Sequence, residues 1–153
     1  MQEGEVVKYK RNGFLPFVLY AGLMLILLFG RPGRVTGDAY WEQIQMGYNL
    51  KPLHTIRLYL PLLCRGPESD LFRQAVVNLV GNVVMFIPLG MFLPAWVKKP
   101  SFWKTLLIGA AVICLIELLQ FVTLLGCCDV DDLLLNLTGS LLGCIMYCAF
   151  SKK

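Results

Sequence analysis

Glu117 is the residue whose surroundings most demand a chemical explanation. It is the single charge in a 21-residue apolar stretch, residues 105–125. A carboxylate at the centre of a membrane helix costs ~2.5–3.5 kcal/mol, and no Lys, Arg or His lies in any apolar tract to neutralise it. It is therefore protonated, hydrogen-bonded by an amide, or reached by a loop cation such as Arg73. Amides and a hydroxyl stand at helical spacing around it. Asn78 and Asn82 are four apart, Glu117 and Gln120 three apart, and Asn136 and Ser140 four apart, so each pair shares a helix face. Asp129, Asp131 and Asp132 precede the last apolar tract. Such a set can bind a polar head group, or exchange protons with Glu117 as acid and an aspartate as base. Candidates for catalysis are Glu117, Asp129 and Asp132. Candidates for ligand binding are Asn78, Asn82, Glu117, Gln120, Asp131, Asp132 and Asn136. The plainer alternatives are interhelical bonds that merely hold a bundle together, ~0.6 kcal/mol each, preferred for Asn78 and Ser140 taken alone. For Asp131 or Asp132 the plainer role is an N-cap on the last helix.

The elements that must position these groups are membrane helices. The chain has 153 residues, 57% hydrophobic and 16% charged, with mean hydropathy +0.64. Soluble domains run nearer 45–50% apolar and about 25% charged. The excess lies in four tracts, residues 14–30, 75–97, 105–125 and 133–150. Each is long enough for a hydrocarbon core of ~30 Å at ~1.5 Å rise per residue. The expected fold is all-α: one integral membrane domain over residues 1–153, a bundle of four transmembrane helices with an irregular outer loop. The first tract follows Lys8, Lys10 and Arg11 and lacks a small-x-small cleavage site, so it reads as a retained helix rather than a signal peptide.

Positive charge orients the bundle. Lys8, Lys10, Arg11, Lys98, Lys99, Lys104, Lys152 and Lys153 fall on one side if both termini are cytoplasmic. The other side then holds residues 31–74, a mixed stretch broken by prolines and glycines, and the acidic turn 126–132. Leu53, Ile56, Leu58, Tyr59 and Leu60 suit an interfacial helical turn. Counted from the outer boundary, Asn82 lies ~10 Å deep, Glu117 ~12 Å, Asn136 ~4–5 Å and Ser140 ~10 Å. Three helices thus bring polar groups to the same outer half of the membrane, capped by the aspartates, and the expectation is a polar pocket open to the outside. The Gly139-x3-Gly143 pattern permits close helix packing, expected within the monomer.

Other chemistries lack their residues. The net charge of +4 flanks apolar tracts instead of forming a stripe, so nucleic acid is not an expected partner. His54 is the only histidine, and HExxH, GxSxG, P-loop and GxGxxG patterns are absent. A hard-metal site from Asp129, Asp131, Asp132 and Glu117 is conceivable, but no metal or cofactor is expected. Cys114, Cys144 and Cys148 read as packing residues within spans. Cys64, Cys127 and Cys128 lie outside, where a bridge from Cys64 is sterically conceivable but not expected.

The motifs together resemble the VanZ-like membrane proteins. They are Asn49-Leu50-x-Pro52-x-x-Thr55-Ile56, then Asn78-x3-Asn82-x3-Phe86-Ile87-Pro88-Leu89-Gly90, then Ile116-Glu117-Leu118-Leu119-Gln120, then Asp129-Val130-Asp131-Asp132-x3-Asn136-x2-Gly139-x3-Gly143. They stand in the family's order and cover about residues 48–147. The chain departs from the family pattern where an Arg usually precedes the aspartates: here the turn reads Gly126-Cys127-Cys128. Leu53 stands where the family often has Phe, and Lys51 where it often has an apolar residue.

The resemblance implies a multi-pass protein of the bacterial cytoplasmic membrane and cell envelope, often Gram-positive. It also implies a link to teicoplanin resistance, hence to antibiotic resistance of the lipoglycopeptide type. Teicoplanin carries an acyl chain and targets membrane-bound cell-wall precursor. The implied partners are membrane lipids or lipid-linked cell-wall precursor, or the amphiphilic glycopeptide itself, with its head at the aspartates and its tail between helices. A membrane enzyme acting on a lipid-linked head group and a small proton-coupled transporter are the competing readings.

Overall fold

Each apolar tract folds as a helix. The computed structural model describes residues 3–30, 40–42, 44, 47–97 and 101–151. Helix α1 is Glu3–Phe29. A two-residue strand β1, Tyr48–Asn49, follows. Helix α2 is His54–Tyr59, continuing as a 3-10 turn over Leu60–Cys64. Helix α3 is Asp70–Trp96, with a π-type turn at Val77–Gly81. Helix α4 is Phe102–Thr123. Strand β2, Cys128–Asp129, leads into helix α5, Val130–Phe150. Helices α3, α4 and α5 are long and apolar enough to cross a membrane, and the apolar part of α1, Phe14–Phe29, is shorter.

Burial runs opposite to a soluble fold. Phe86 and Ile113 are fully enclosed, while Trp103, Leu107, Leu115 and Leu118 are exposed around the bundle. A soluble monomer rarely leaves such a continuous apolar surface, so the surrounding solvent is lipid and the chain is a membrane protein.

Helix ends follow local chemistry. Helix α4 stops at Thr123 because Leu124 takes a left-handed conformation, φ 55°, and the Leu125 and Gly126 N–H groups donate back to the Gln120 carbonyl. Helix α5 begins at Val130, ahead of its apolar tract, because Asp129 caps it: its carboxylate accepts from the Asp131 N–H at 2.8 Å. The sequence favoured Asp131 or Asp132 for this role. All three carboxylates suit a helix start, and Asp129 alone has the extended backbone of a capping residue, φ −116°, ψ 123°.

Small residues bring α3 and α5 together within the monomer, as the glycine spacing suggests. A Cβ built at Gly143 would lie 1.9 Å from the Ile87 carbonyl oxygen, and one at Gly139 would lie 2.0 Å from that of Val83. From the facing helix, a Cβ on Gly90 would lie 1.8 Å from the Ser140 carbonyl oxygen. The two backbones meet where no side chain fits. Ser140 packs at this junction, its hydroxyl against Gly109 of α4. Helix α1 docks through the Tyr20 hydroxyl, which donates to the Met85 carbonyl at 2.9 Å, and through Phe17, whose ring centroid lies 4.2 Å from that of Trp96.

Candidate functional site

The polar residues form two layers at the end of the bundle where α5 begins. The upper layer is a clasp between residues 47–56 and 128–131. Strands β1 and β2 pair in parallel, Tyr48 beside Cys128 and Asn49 beside Asp129, and the Cys128 N–H donates to the Gly47 carbonyl at 2.9 Å. The Asp129 carboxylate receives the Asn49 amide at 3.2 Å and the Thr55 hydroxyl at 2.5 Å, and Asn49 also donates to Thr55 at 3.0 Å.

Asp131 goes further. Its side chain is 0% exposed, and its two oxygens accept the backbone N–H groups of Leu53 and Ile56. These are the N-cap and third residues of α2. Leu53 sits in the left-handed region, φ 62°, and has no side-chain group to cap with. The orphan donors at the start of a helix need an acceptor. Asp131 supplies it from 78 residues away. Asn49 and Thr55 were not among the candidates taken from the sequence. Their signal was the Asn49…Thr55-Ile56 motif, which the clasp explains.

The lower layer lies between the helices. Asn82 of α3 donates to Asp132 at 2.7 Å, and Asn136 of α5 donates to Glu117 of α4 at 2.7 Å. Asp132 and Asn136 are one turn apart on α5, so they face the same way. Glu117 is 8% exposed and Asn136 2%. The amide bond, one of the open possibilities for Glu117, is made by Asn136. Arg73 instead lies 3.8 Å from Asp70 on the exposed start of α3. The charges that reach Glu117 and Asp132 from the described residues are all carboxylates.

Two candidates face elsewhere. The Asn78 amide donates to the Gln74 carbonyl of its own helix at 3.3 Å. It sits in the π-type turn, whose extra residue shifts the helical phase between it and Asn82. Gln120 donates to the Leu28 carbonyl at 3.3 Å and ties α4 to α1. Three residues separate it from Glu117, a rotation of about 60° on the helix, enough to face a different neighbour.

The layers differ in chemistry. Asp129 and Asp131 are saturated by donors and act as fasteners. Glu117 and Asp132 each receive one amide hydrogen bond, and each keeps a carboxylate oxygen with no donor among the described residues. Among the described residues no three His, Cys, Asp or Glu side chains converge as metal ligands, since Asp129 and Asp131 are turned into the clasp. All six cysteines are free.

Beside the lower layer, a cavity of about 220 Å³ opens between α1, α3 and α4, lined by Phe17, Tyr20, Met24, Leu28, Phe86 and Ile116 among others. Its wall is apolar and contains none of the candidate polar residues. Of its lining, Ile116 is the sequence neighbour of Glu117 on α4, and Phe86 lies one turn from Asn82 on α3.

Cys128 reports on the layer electrically. Burial pushes its thiol above the ordinary range, and the charges of Glu117 and Asp129 push the same way. It therefore stays protonated at neutral pH and reacts slowly. Iodoacetamide is expected to modify the exposed Cys127 first. The Cys128 rate should climb only as pH rises past the usual thiol range, and Glu117→Gln should move that rise to lower pH. An unchanged rate profile in the variant would show that Glu117 carries no charge felt at Cys128.

Comparison with known proteins gives two matches. The family model described as VanZ/LLP1 matches residues 17–151. Protein VanZ of Enterococcus faecium is 29% identical over 70 residues, 46% of this chain and 44% of that protein. The aligned region thus spans less than half the length of that relative. No solved structure matches.

Proposed function

The chain belongs to the VanZ/LLP1 family, and on that premise we propose that it lowers the action of lipoglycopeptides of the teicoplanin type by holding an amphiphile at the lower polar layer. In this reading the protein sits in the bacterial cytoplasmic membrane and crosses it four times. Both termini are cytoplasmic, and the clasp lies on the outer face. The observation that carries the reading is the pair of carboxylates, Glu117 within an apolar helix and Asp132 at the start of another, each held by a single amide and unopposed by any cation among the described residues. Helix glue alone needs no charge, and ionisable groups at this depth are costly enough to mark function. The adjoining cavity suits part of an acyl chain. It is smaller than the ~300–1,000 Å³ typical of small-molecule pockets, so a head group stays outside it.

The test is susceptibility. A Gram-positive host expressing the chain is expected to tolerate more teicoplanin than the empty host, with vancomycin susceptibility unchanged. Equal protection against both drugs would sink the acyl-chain reading, and no protection would sink the role itself. A second reading, acid–base chemistry on a lipid-linked head group, is favoured by the same two carboxylates standing within electrostatic reach. It requires a consumed lipid and a new product in expressing cells.

A further inference from the structure

The Asn136 side chain is almost completely buried, yet its Oδ1 has no hydrogen-bond partner. An unpaired buried carbonyl costs about 1–3 kcal/mol. Its own Nδ2 is committed to Glu117, so Oδ1 needs a donor from elsewhere. The lower layer pairs no donor with it: Glu117 and Asp132 are acceptors when ionised, and the one hydrogen bond of the Asn82 amide goes to Asp132. An unpaired carbonyl beside two carboxylates suits a group that carries several N–H donors and a positive charge. A phosphate or carboxylate head would meet only negative charge here. A quaternary ammonium would bring charge without donors. A primary ammonium brings one charge and three donors, matching the Asn136 carbonyl and the free oxygens of Glu117 and Asp132.

Resting on the reading that the lower layer binds an amphiphile, we propose that its ligand is a primary amine, with the ammonium between Asn136, Glu117 and Asp132 and its tail in the cavity lined by Met24, Phe86 and Ile116. The amine can belong to an aminophospholipid head group or to a free amphiphile, and the chemistry of recognition is the same.

The full chain in phosphatidylcholine nanodiscs would be titrated with dodecylammonium, dodecyltrimethylammonium and dodecanoate, with bound adducts counted by native mass spectrometry. Dodecylammonium is expected to bind about tenfold more tightly than the trimethylated probe, the weight of charge-assisted hydrogen bonds. This preference is expected to vanish in Glu117→Gln. The methylation contrast on the unaltered chain carries the test even if that variant misfolds. Equal retention of the two cations, or tighter retention of dodecanoate, would overturn the proposal; a proton on Glu117 would then supply the missing donor. Repeating the titration in phosphatidylethanolamine nanodiscs separates the sources. A lost preference there identifies the lipid head group as occupant, and a preserved one identifies a free amine; each supports the site. The two readings fail separately. Amine selectivity without drug protection would overturn the resistance role alone, and protection without amine selectivity would overturn this proposal alone.

Discussion

Asp131→Ala is expected to unfasten α2 from the bundle at a cost of about 3–5 kcal/mol, the sum for two backbone donors left unpaired at ~1–3 kcal/mol each. The carboxylate is fully enclosed and holds two backbone N–H groups, those of Leu53 and Ile56. Nothing local replaces it. Helix α2 has six residues, far below the length at which a helix stands alone. Asp131→Asn keeps the shape but turns one acceptor into a donor, so an intermediate loss of about 1.5–3 kcal/mol is expected. Trypsin cleavage after the exposed Arg57 of the purified protein reads this opening directly. The alanine variant is expected to be cut about 100-fold faster than the unaltered chain, the factor that ~3 kcal/mol represents. Equal cleavage rates would show that the clasp, and not the cap, holds α2.

Gly143→Val is expected to be nearly as damaging by a different route. A methyl group alone would stand 1.9 Å from the Ile87 carbonyl oxygen. The obstacle is helix backbone, which cannot turn aside as a side chain does. Relief requires α3 and α5 to part, so the cost lies at or above the upper end of the ~1–3 kcal/mol usual for overpacking. Separation would also stretch the Asn82–Asp132 bond, which spans the same interface. Gly22→Ala is the matching control. It meets nothing within 4 Å and lies in mid-helix, so it should stabilise α1 by up to ~1 kcal/mol. Thermal midpoints in detergent are expected to move in opposite directions for the two variants. A neutral Gly143→Val would mean that α3 and α5 do not touch where the glycines place them.

Much of this arrangement was legible from residue spacing. Apolar tract length announced the helices, because a membrane leaves the backbone few alternatives. Depth counting put Asn82, Glu117 and Asn136 in the same outer half; Asn136 meets Glu117, and Asn82 meets Asp132. Gly139 and Gly143 announced a close helix contact within the monomer, which α3 makes. What spacing could not show was which neighbour each face meets. Glu117 and Gln120 share a side of α4 but turn to α5 and α1 respectively. Asn78 lies within a π-type turn, just ahead of Asn82, that no local residue preference announces. The three aspartates were equivalent by position. Only the chain returning from residue 53 distinguishes Asp131, which caps α2, from Asp129, which caps α5, and from Asp132, which faces Asn82. Among the residues expected to line a polar pocket, Asn82 pairs with Asp132 and Asn136 with Glu117, so amides of α3 and α5 meet acids on their neighbours.

The division of labour between fastening carboxylates and functional ones rests most directly on Glu117. Teicoplanin susceptibility should be measured in a Gram-positive host expressing the unaltered chain or Glu117→Gln, with membrane levels matched by immunoblot. Because Gln keeps the size of Glu and can still accept from Asn136, the variant is expected to insert and fold yet lose the protection against teicoplanin. Full protection by Glu117→Gln at matched levels would contradict the account and leave Glu117 a packing residue.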